Sequence, residues 1–437
     1  MLLVPAFGPS TVRADTQPPF VTLAGRAVLP ADTFAPGPPS GFAITGNTFG
    51  RKVPFPNQPV QGFSAILPKW NGNYLAMVDN GFGAKANSAD SRLRWYEVQP
   101  NFATGAVKVI GYSELYDPNH LAGFPIVNET LDRVLTGADF DLESFRQMPD
   151  GTFWFGEEFG PFLLHTDITG KLIDRPIPLP IPAPLVPFAK GLPYVQSPDN
   201  PAFTGLSNQD ARRVAANLPS SRGFEGMAMN LSATKLYPLL EGALVNDPVR
   251  TRLLMEEFDI ATKHYTGRFW FYPMSDAGNS IGDMTAINDH EMLVIERDQG
   301  QGNDAHFKRV YKVDLNNVQP DGTLPKELVV DLMAITDTQG ITHPEPGAIG
   351  LGHIFTFPFV TIEDIYPVDA STLLVVNDNN YPFSSGRRPG KDLDDNEFIL
   401  LHLPTPLNLG TGPCGARQDC SGLVAQQTQM MHRMSGR

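Results

Sequence analysis

Five times along the chain a hairpin-sized segment returns acidic side chains to the same two places. The second copy runs from Glu143 to Glu157, through a Pro-Asp-Gly turn between two aromatic-rich runs. The first runs from Ser64 to Asp79, the third from Glu225 to Glu241, the fourth from Gly282-Asp283 to Glu296, and the fifth from Glu363 to Asn377. From first to fifth, the head-to-tail spacings are 15, 14, 16, 14 and 14. Carboxylates fill seven of these ten slots, although Asp and Glu make up only 47 of 437 residues.

Most copies continue alike. After Glu157 come Phe162–Asp167, a Thr169-Gly170 turn and Lys171–Asp174; after Glu296 come Arg309–Asp314, an Asp321-Gly322 turn and Glu327–Asp331. Leu93–Val98 and Val107–Ile110 extend the first copy, and Leu253–Phe258 and Phe269–Tyr272 the third. Short β-branched and aromatic runs closed by Gly-containing turns read as antiparallel hairpins. Four strands per unit, repeated, predict an all-β chain folded as a single β-propeller of four-stranded blades. Five blades are visible, and a degenerate sixth fits in residues 31–60 or 179–222, for five to seven in all. The fifth unit ends at Glu397–His402 without a fourth strand, while Phe20–Leu29 is a strand without a unit. The N-terminal strand is therefore expected to complete the last blade and close the ring, which removes an exposed sheet edge.

This gives one domain over residues 20–404, followed by a peripheral tail over 405–437. Residues 1–14 read as a truncated signal peptide, with Val12 and Ala14 at the −3 and −1 positions of a cleavage site before Asp15. That places the protein outside the cell or in a periplasm, where Cys414 and Cys420, which enclose five residues, would form a small disulfide loop. The greasiest stretch, Pro176–Ala189, holds six prolines and reads as an extended loop, not a membrane span. A net charge of −14 excludes nucleic-acid partners, which need clustered Lys and Arg. Ser207–Leu218, inside the Pro-rich insertion, has the pattern of a capped helix.

In a propeller the heads and tails meet at one mouth of the central channel. The candidate metal ligands are therefore Glu143, Glu157, Glu158, Glu225, Asp283, Glu296, Asp298, Glu363, Asp364 and Asp378, with Asp79 beside them. So many carboxylates at close range repel unless a cation joins them, and an oxygen-only donor set suits calcium. Glu241, at the edge of a loop and a long insertion, reads as an ordinary loop acid. Arg222, Arg297, His165, Lys391 and Asn379 are candidates for holding an anionic substrate, and Glu157, Glu225 and Arg297 for catalysis. No Gly-x-Ser-x-Gly, phosphate-binding loop or His-Glu-x-x-His is present, so hydrolysis would use metal-activated water.

The motifs Gly-Phe-Ser64, Asp-Leu-Glu143-Ser-Phe, Phe-Gly-Glu157-Glu158-Phe-Gly, Gly-Phe-Glu225-Gly-Met, Ile-Glu296-Arg297-Asp298 and Val-Val-Asn377-Asp378-Asn379 resemble those of the phytase-like family, described by esterase-like activity. The resemblance spans about residues 20–403. It implies a secreted β-propeller that hydrolyses a phosphoric or other ester, with calcium as the metal by analogy with β-propeller phytases. A substrate as anionic as phytate would ask for a denser Lys/Arg cluster than this chain has. The expected activity is thus a calcium-dependent ester hydrolase, preferring phosphoric esters, working as a monomer on a small anionic ester. A lactonase on the same ligands, or a non-catalytic propeller that binds a glycan or protein, are the alternatives.

Overall fold

The structure, a computed structural model, describes residues 20–69 and 71–412. The signal-peptide reading of residues 1–14 and the Cys414–Cys420 pairing lie outside these described residues. Among the described residues, almost all of the regular structure falls into five four-stranded antiparallel units, the arrangement of a β-propeller, with units one and five joined at their outer strands by a single parallel bridge between Val28 and Ala106. Unit one comprises Phe63–Pro68, Tyr74–Val78, Arg94–Asn101 and Ala106–Glu114. Unit two comprises Leu142–Gln147, Phe153–Glu157, Phe162–Thr166 and the two-residue strand Ile177–Pro178. Unit three comprises Phe224–Met229, Lys235–Leu240, Arg252–Asp259 and His264–Pro273. Unit four comprises Ser280–Ala286, Glu291–Arg297, Lys308–Asp314 and Lys326–Asp331. Unit five takes Asp364–Asp369, Thr372–Val376 and Asn396–His402 from the C-terminal end, and Thr22–Leu29 from the other end of the chain.

That last strand sits as the missing edge in unit five predicted. It runs antiparallel to the third strand of the unit, from Thr22 opposite His402 to Leu29 opposite Asn396. Glu397 clamps the join. Its two oxygens accept from Arg26 Nε and Nη2 at 2.9 and 2.8 Å, and from Arg387 Nε and Nη2 at 2.9 and 2.8 Å. Burial works against ionisation of this carboxyl, yet Arg387 and Arg26 together hold it down at about 2.

Successive side chains of a strand turn to opposite faces, so that Leu236 and Leu240 fill one space between neighbouring sheets and Tyr237 and Leu239 the other. Phe145 and Phe155 of unit two pack with Met77 of unit one; Trp154 and Leu163 pack with Met227 and Phe258 of unit three. Ile281 and Val294 of unit four meet Met255 of unit three, and Ile295 meets Ile365 of unit five. A further layer joins Tyr366 and Phe398 of unit five to Phe63 and Val78 of unit one. First strands touch in chain order, and that of unit five also touches that of unit one.

Three local expectations are corrected. The fourth strand of unit two is Ile177–Pro178, opposite Leu163 and Phe162; of the expected Lys171–Asp174 only Leu172 meets the third strand, in a single bridge at Thr166, while Lys171 bridges Tyr116 of the preceding connection. The insertion helix spans only Gln209–Ala215, capped by Asn208, whose side chain accepts from Ala211 N at 2.9 Å. Residues 31–60 and 179–222 hold no four-stranded sheet; they carry a two-residue strand pair, short 3₁₀ turns and this helix, lying between units.

Candidate functional site

The first strand of four units breaks register at the head of the repeat. Phe63 faces Val78 and Ala65 faces Met77, so Ser64 is skipped; Glu143 is skipped between Leu142 and Ser144, and Glu225 between Phe224 and Gly226. In unit four Gly282 and Asp283 are skipped. A bulge of this kind frees one residue from the ladder and re-aims its side chain. At the end of the partner strand or just past it the matching residue is Asp79, Glu158, Glu241, Arg297 or Asp378, fifteen or sixteen residues after Ser64, Glu143, Glu225, Gly282 or Glu363. The structural repeat is thus one residue longer in units two, four and five than the sequence spacing implied.

These positions converge. Carboxylate oxygens of Asp141, Glu143 and Glu158 lie within 4.8 Å of one another, as do those of Glu143, Glu225 and Glu363, and those of Glu158, Glu225 and Glu241. All six residues are buried. Arg297 reaches over from unit four: its Nη2 lies 2.8 Å from Glu363, 3.6 Å from Glu241 and 3.7 Å from Glu225. Arg222 bridges Glu241 and Ser280 Oγ, and keeps about a third of its side chain, 34%, exposed to solvent. Asn80 donates to Asp141 from its backbone N and Nδ2, at 3.1 and 2.7 Å, and Ser64 Oγ donates to Glu363 at 3.2 Å.

Burial, then the charges of neighbouring carboxylates, push Glu143, Glu158 and Glu225 well above the usual carboxylate range. Asp79 is raised in the same way, first by burial and then by Asp378 and Asp141. Asp378 is raised by burial and by Glu363. Glu225 Oε1 and Arg297 Nε are buried without any hydrogen-bond partner. A group of oxygens this dense, under-satisfied and mutually repelling can hold a metal ion, and the absence of thiolate or imidazole among the triads matches a hard cation.

Several candidates fall elsewhere. Glu157 points to the opposite side of its strand from Glu158, as successive residues must. Its carboxylate accepts from Phe159 N and Gly160 N at 2.9 and 2.6 Å, and burial outweighs those bonds to push it up to about 8. Glu296, one residue before Arg297, likewise turns away, to Tyr272 OH at 2.9 Å, Ser275 N at 2.7 Å, Asn279 Nδ2 at 2.9 Å and the Lys326 ammonium. Asp298 closes its own loop through His306 N, Phe307 N and Lys308. Asp283 pairs with Arg146 at 3.1 Å, and the fully buried Asp364 lies beside it with neither oxygen partnered. Asn379 is tied by Gly62 N and Asp394 O next to the cluster. His165 stacks on Trp154 with ring centroids 4.1 Å apart and bonds Asp174 in the loop after the third strand of unit two, while Lys391 is exposed on the last insertion.

Two cluster members escaped the sequence reading. Asp141 stands two residues before a head, off the repeat. Glu241, read as a loop acid, occupies the same structural place as Glu158; the signal was its position in the repeat.

Residues 58–381 match the family described as phytase-like, with the esterase-like activity of phytase. The chain belongs to the phytase-like family. An uncharacterized secreted protein of Arthroderma benhamiae is 24% identical over 183 residues, 37% of this chain and 35% of that protein. The chain thus matches about a third of the length of this relative. Among solved structures, the chain is similar to an exo-β-1,3-galactanase from Phanerochaete chrysosporium (8% identity, 81% of this chain and 64% of that one, TM-score 0.39). It is also similar to luciferin-regenerating enzyme (12% identity, 82% and 81% covered, TM-score 0.35) and to the β-propeller domain of Cps50 (Swd1) from Myceliophteria thermophila (10% identity, 78% and 96% covered, TM-score 0.35). No helix of this phytase-like protein, among the described residues, is long and apolar enough to cross a membrane.

Proposed function

We propose that this protein is a secreted or periplasmic, metal-dependent ester hydrolase that works at the acidic cluster of a five-bladed ring. Phosphoric esters are the favoured substrates, calcium the favoured ion and the monomer the working form. One observation carries the reading: Asp141, Glu143 and Glu158 form a buried triad without a Lys or Arg within salt-bridge distance among the described residues, beside two triads that Arg297 partly neutralises. A hard divalent ion at such oxygens supplies Lewis acidity and lowers the pKa of water. The side chains do the rest. Arg222, partly exposed, meets the anionic group of the ester, and Arg297 holds it beside the acids. Glu225, whose Oε1 has no hydrogen-bond partner, takes the proton from the attacking water.

The test is a panel of aryl phosphate, phosphodiester, carboxylate ester and lactone substrates, run with EDTA and again after calcium is restored. Turnover of a phosphoric ester that EDTA abolishes and calcium restores is expected; turnover indifferent to EDTA sinks the reading. Burial of the six triad carboxylates, each below 9% exposed, favours one competing reading: a purely structural ion under a glycan- or protein-binding face. Stabilisation by calcium without turnover on any substrate would select it.

A further inference from the structure

The three triads interlock. Glu143 belongs to the first and second, Glu158 to the first and third, and Glu225 to the second and third. Three interlocking triads would ordinarily suggest more than one ion with bridging carboxylates. The fourth unit argues otherwise. Where units two, three and five supply Glu143, Glu225 and Glu363, it supplies Gly282; where the other four supply Asp79, Glu158, Glu241 and Asp378, it supplies Arg297. No side chain fits at Gly282, because an added Cβ would lie 2.2 Å from Ile362 O of unit five. The one long side chain this unit contributes is therefore a cation. It lies on one side only: Arg297 contacts Glu363 of the second triad, Glu241 of the third, and Glu225, which they share. The first triad has no Lys or Arg within salt-bridge distance among the described residues; Arg222, paired with Glu241, acts on its Glu158 only from farther off. Between the two sides, Glu225 Oε1 and Arg297 Nε are buried without a hydrogen-bond partner, Glu225 Oε1 lying 3.7 Å from Arg297 Nη2.

We propose that Arg297 is a built-in second cation of the centre: the chain takes one divalent ion, at Asp141, Glu143 and Glu158, and the guanidinium stands where another would sit, among Glu225, Glu241 and Glu363. The inference rests on the metal reading above. The ion and the guanidinium would then offer two cationic partners to an oxyanion with two oxygens on one atom, such as a phosphate or carboxylate group, one oxygen toward each cation.

Metal stoichiometry tests this without activity. The full chain, stripped with EDTA and dialysed, is titrated with calcium by calorimetry and counted by elemental analysis. One tight ion per wild-type chain and two per Arg297→Gln chain are expected. Two ions in the wild type, or still one in the variant, overturns the proposal alone; none in the wild type overturns it together with the metal reading. Should Arg297→Gln fail to fold, Asp141→Asn and Glu241→Gln carry the test. Asp141→Asn should lower calcium affinity at least tenfold and Glu241→Gln should change it less than threefold; equal losses overturn the assignment.

Discussion

Glu256 offers a sharp test of how burial governs this fold, away from the acidic cluster. It lies on the third strand of unit three, between Leu254 and Phe258, which face the apolar layer against unit two. It is 2% exposed and its Oε1 has no partner. Burial alone raises its pKa from 4.5 to about 8. In the unfolded chain the group ionises near 4.5; in the folded protein it keeps its proton to about 8. The folded state thus binds the extra proton between those values, and stability falls as pH rises through that window. At 1.36 kcal/mol per pH unit the loss reaches about 3 kcal/mol by pH 7. Glu256→Gln keeps the shape and removes the titration. Its stability relative to wild type should be near zero at pH 5 and grow by about 1.4 kcal/mol per unit toward pH 8. With unfolding entropy of about 2.1 cal/mol/K per residue over roughly 400 residues, 3 kcal/mol is about 4 °C in melting temperature at pH 7. Melts of both proteins at pH 5, 6, 7 and 8, each saturated with calcium, make the comparison. An offset that does not change with pH refutes the reasoning.

Other expectations concern the cluster and the seam. Glu225→Gln should lower kcat by about 10²–10⁴-fold on the best ester found, whereas Glu157→Gln, whose parent carboxylate is tied to two backbone amides, should lower it far less; steady-state kinetics on both variants decides. Arg222→Met should raise KM with little change in kcat, as loss of uniform binding does; an unchanged KM argues against an anionic substrate at this mouth. Glu397→Ala leaves Arg26 and Arg387 unpaired at the seam and should cost about 3–5 kcal/mol, read in chemical unfolding; a loss under 1 kcal/mol would show that the strand pairing alone holds the ends together.

The strand repeat was legible because short β-branched and aromatic runs recur in every unit, with Gly turns in units one, two and four, and the orphan strand at Phe20–Leu29 announced its own partner. The site was half legible. A sequence shows which acids recur, but a strand turns each successive residue to the other face, so a slip of one position separates Glu158 from Glu157 and Arg297 from Glu296. The bulges that set this phase leave no composition signal: Ser64, Glu143, Glu225 and Gly282 are of three different residue types. Asp141 was invisible for another reason, since it joins the cluster through Asn80 of the preceding unit and not through the repeat. The outward roles of His165 and Asp298 depend on partners that spacing does not encode.

The N-terminal strand has a consequence for biosynthesis. Thr22 is among the first of the described residues to be made, and its partner His402 among the last. At about 5–20 residues per second, roughly 20–75 s separates the two events. Throughout that interval the strand's hydrogen-bonding edge and Leu23, Ala27 and Leu29 have no third strand of unit five to rest on, while four other sheets are being completed. A nascent chain is thus a row of sheets with an adhesive flap at its head, and the ribosome decides how long that flap waits. Exported across a membrane before folding, the same chain would meet both of its ends at nearly the same moment.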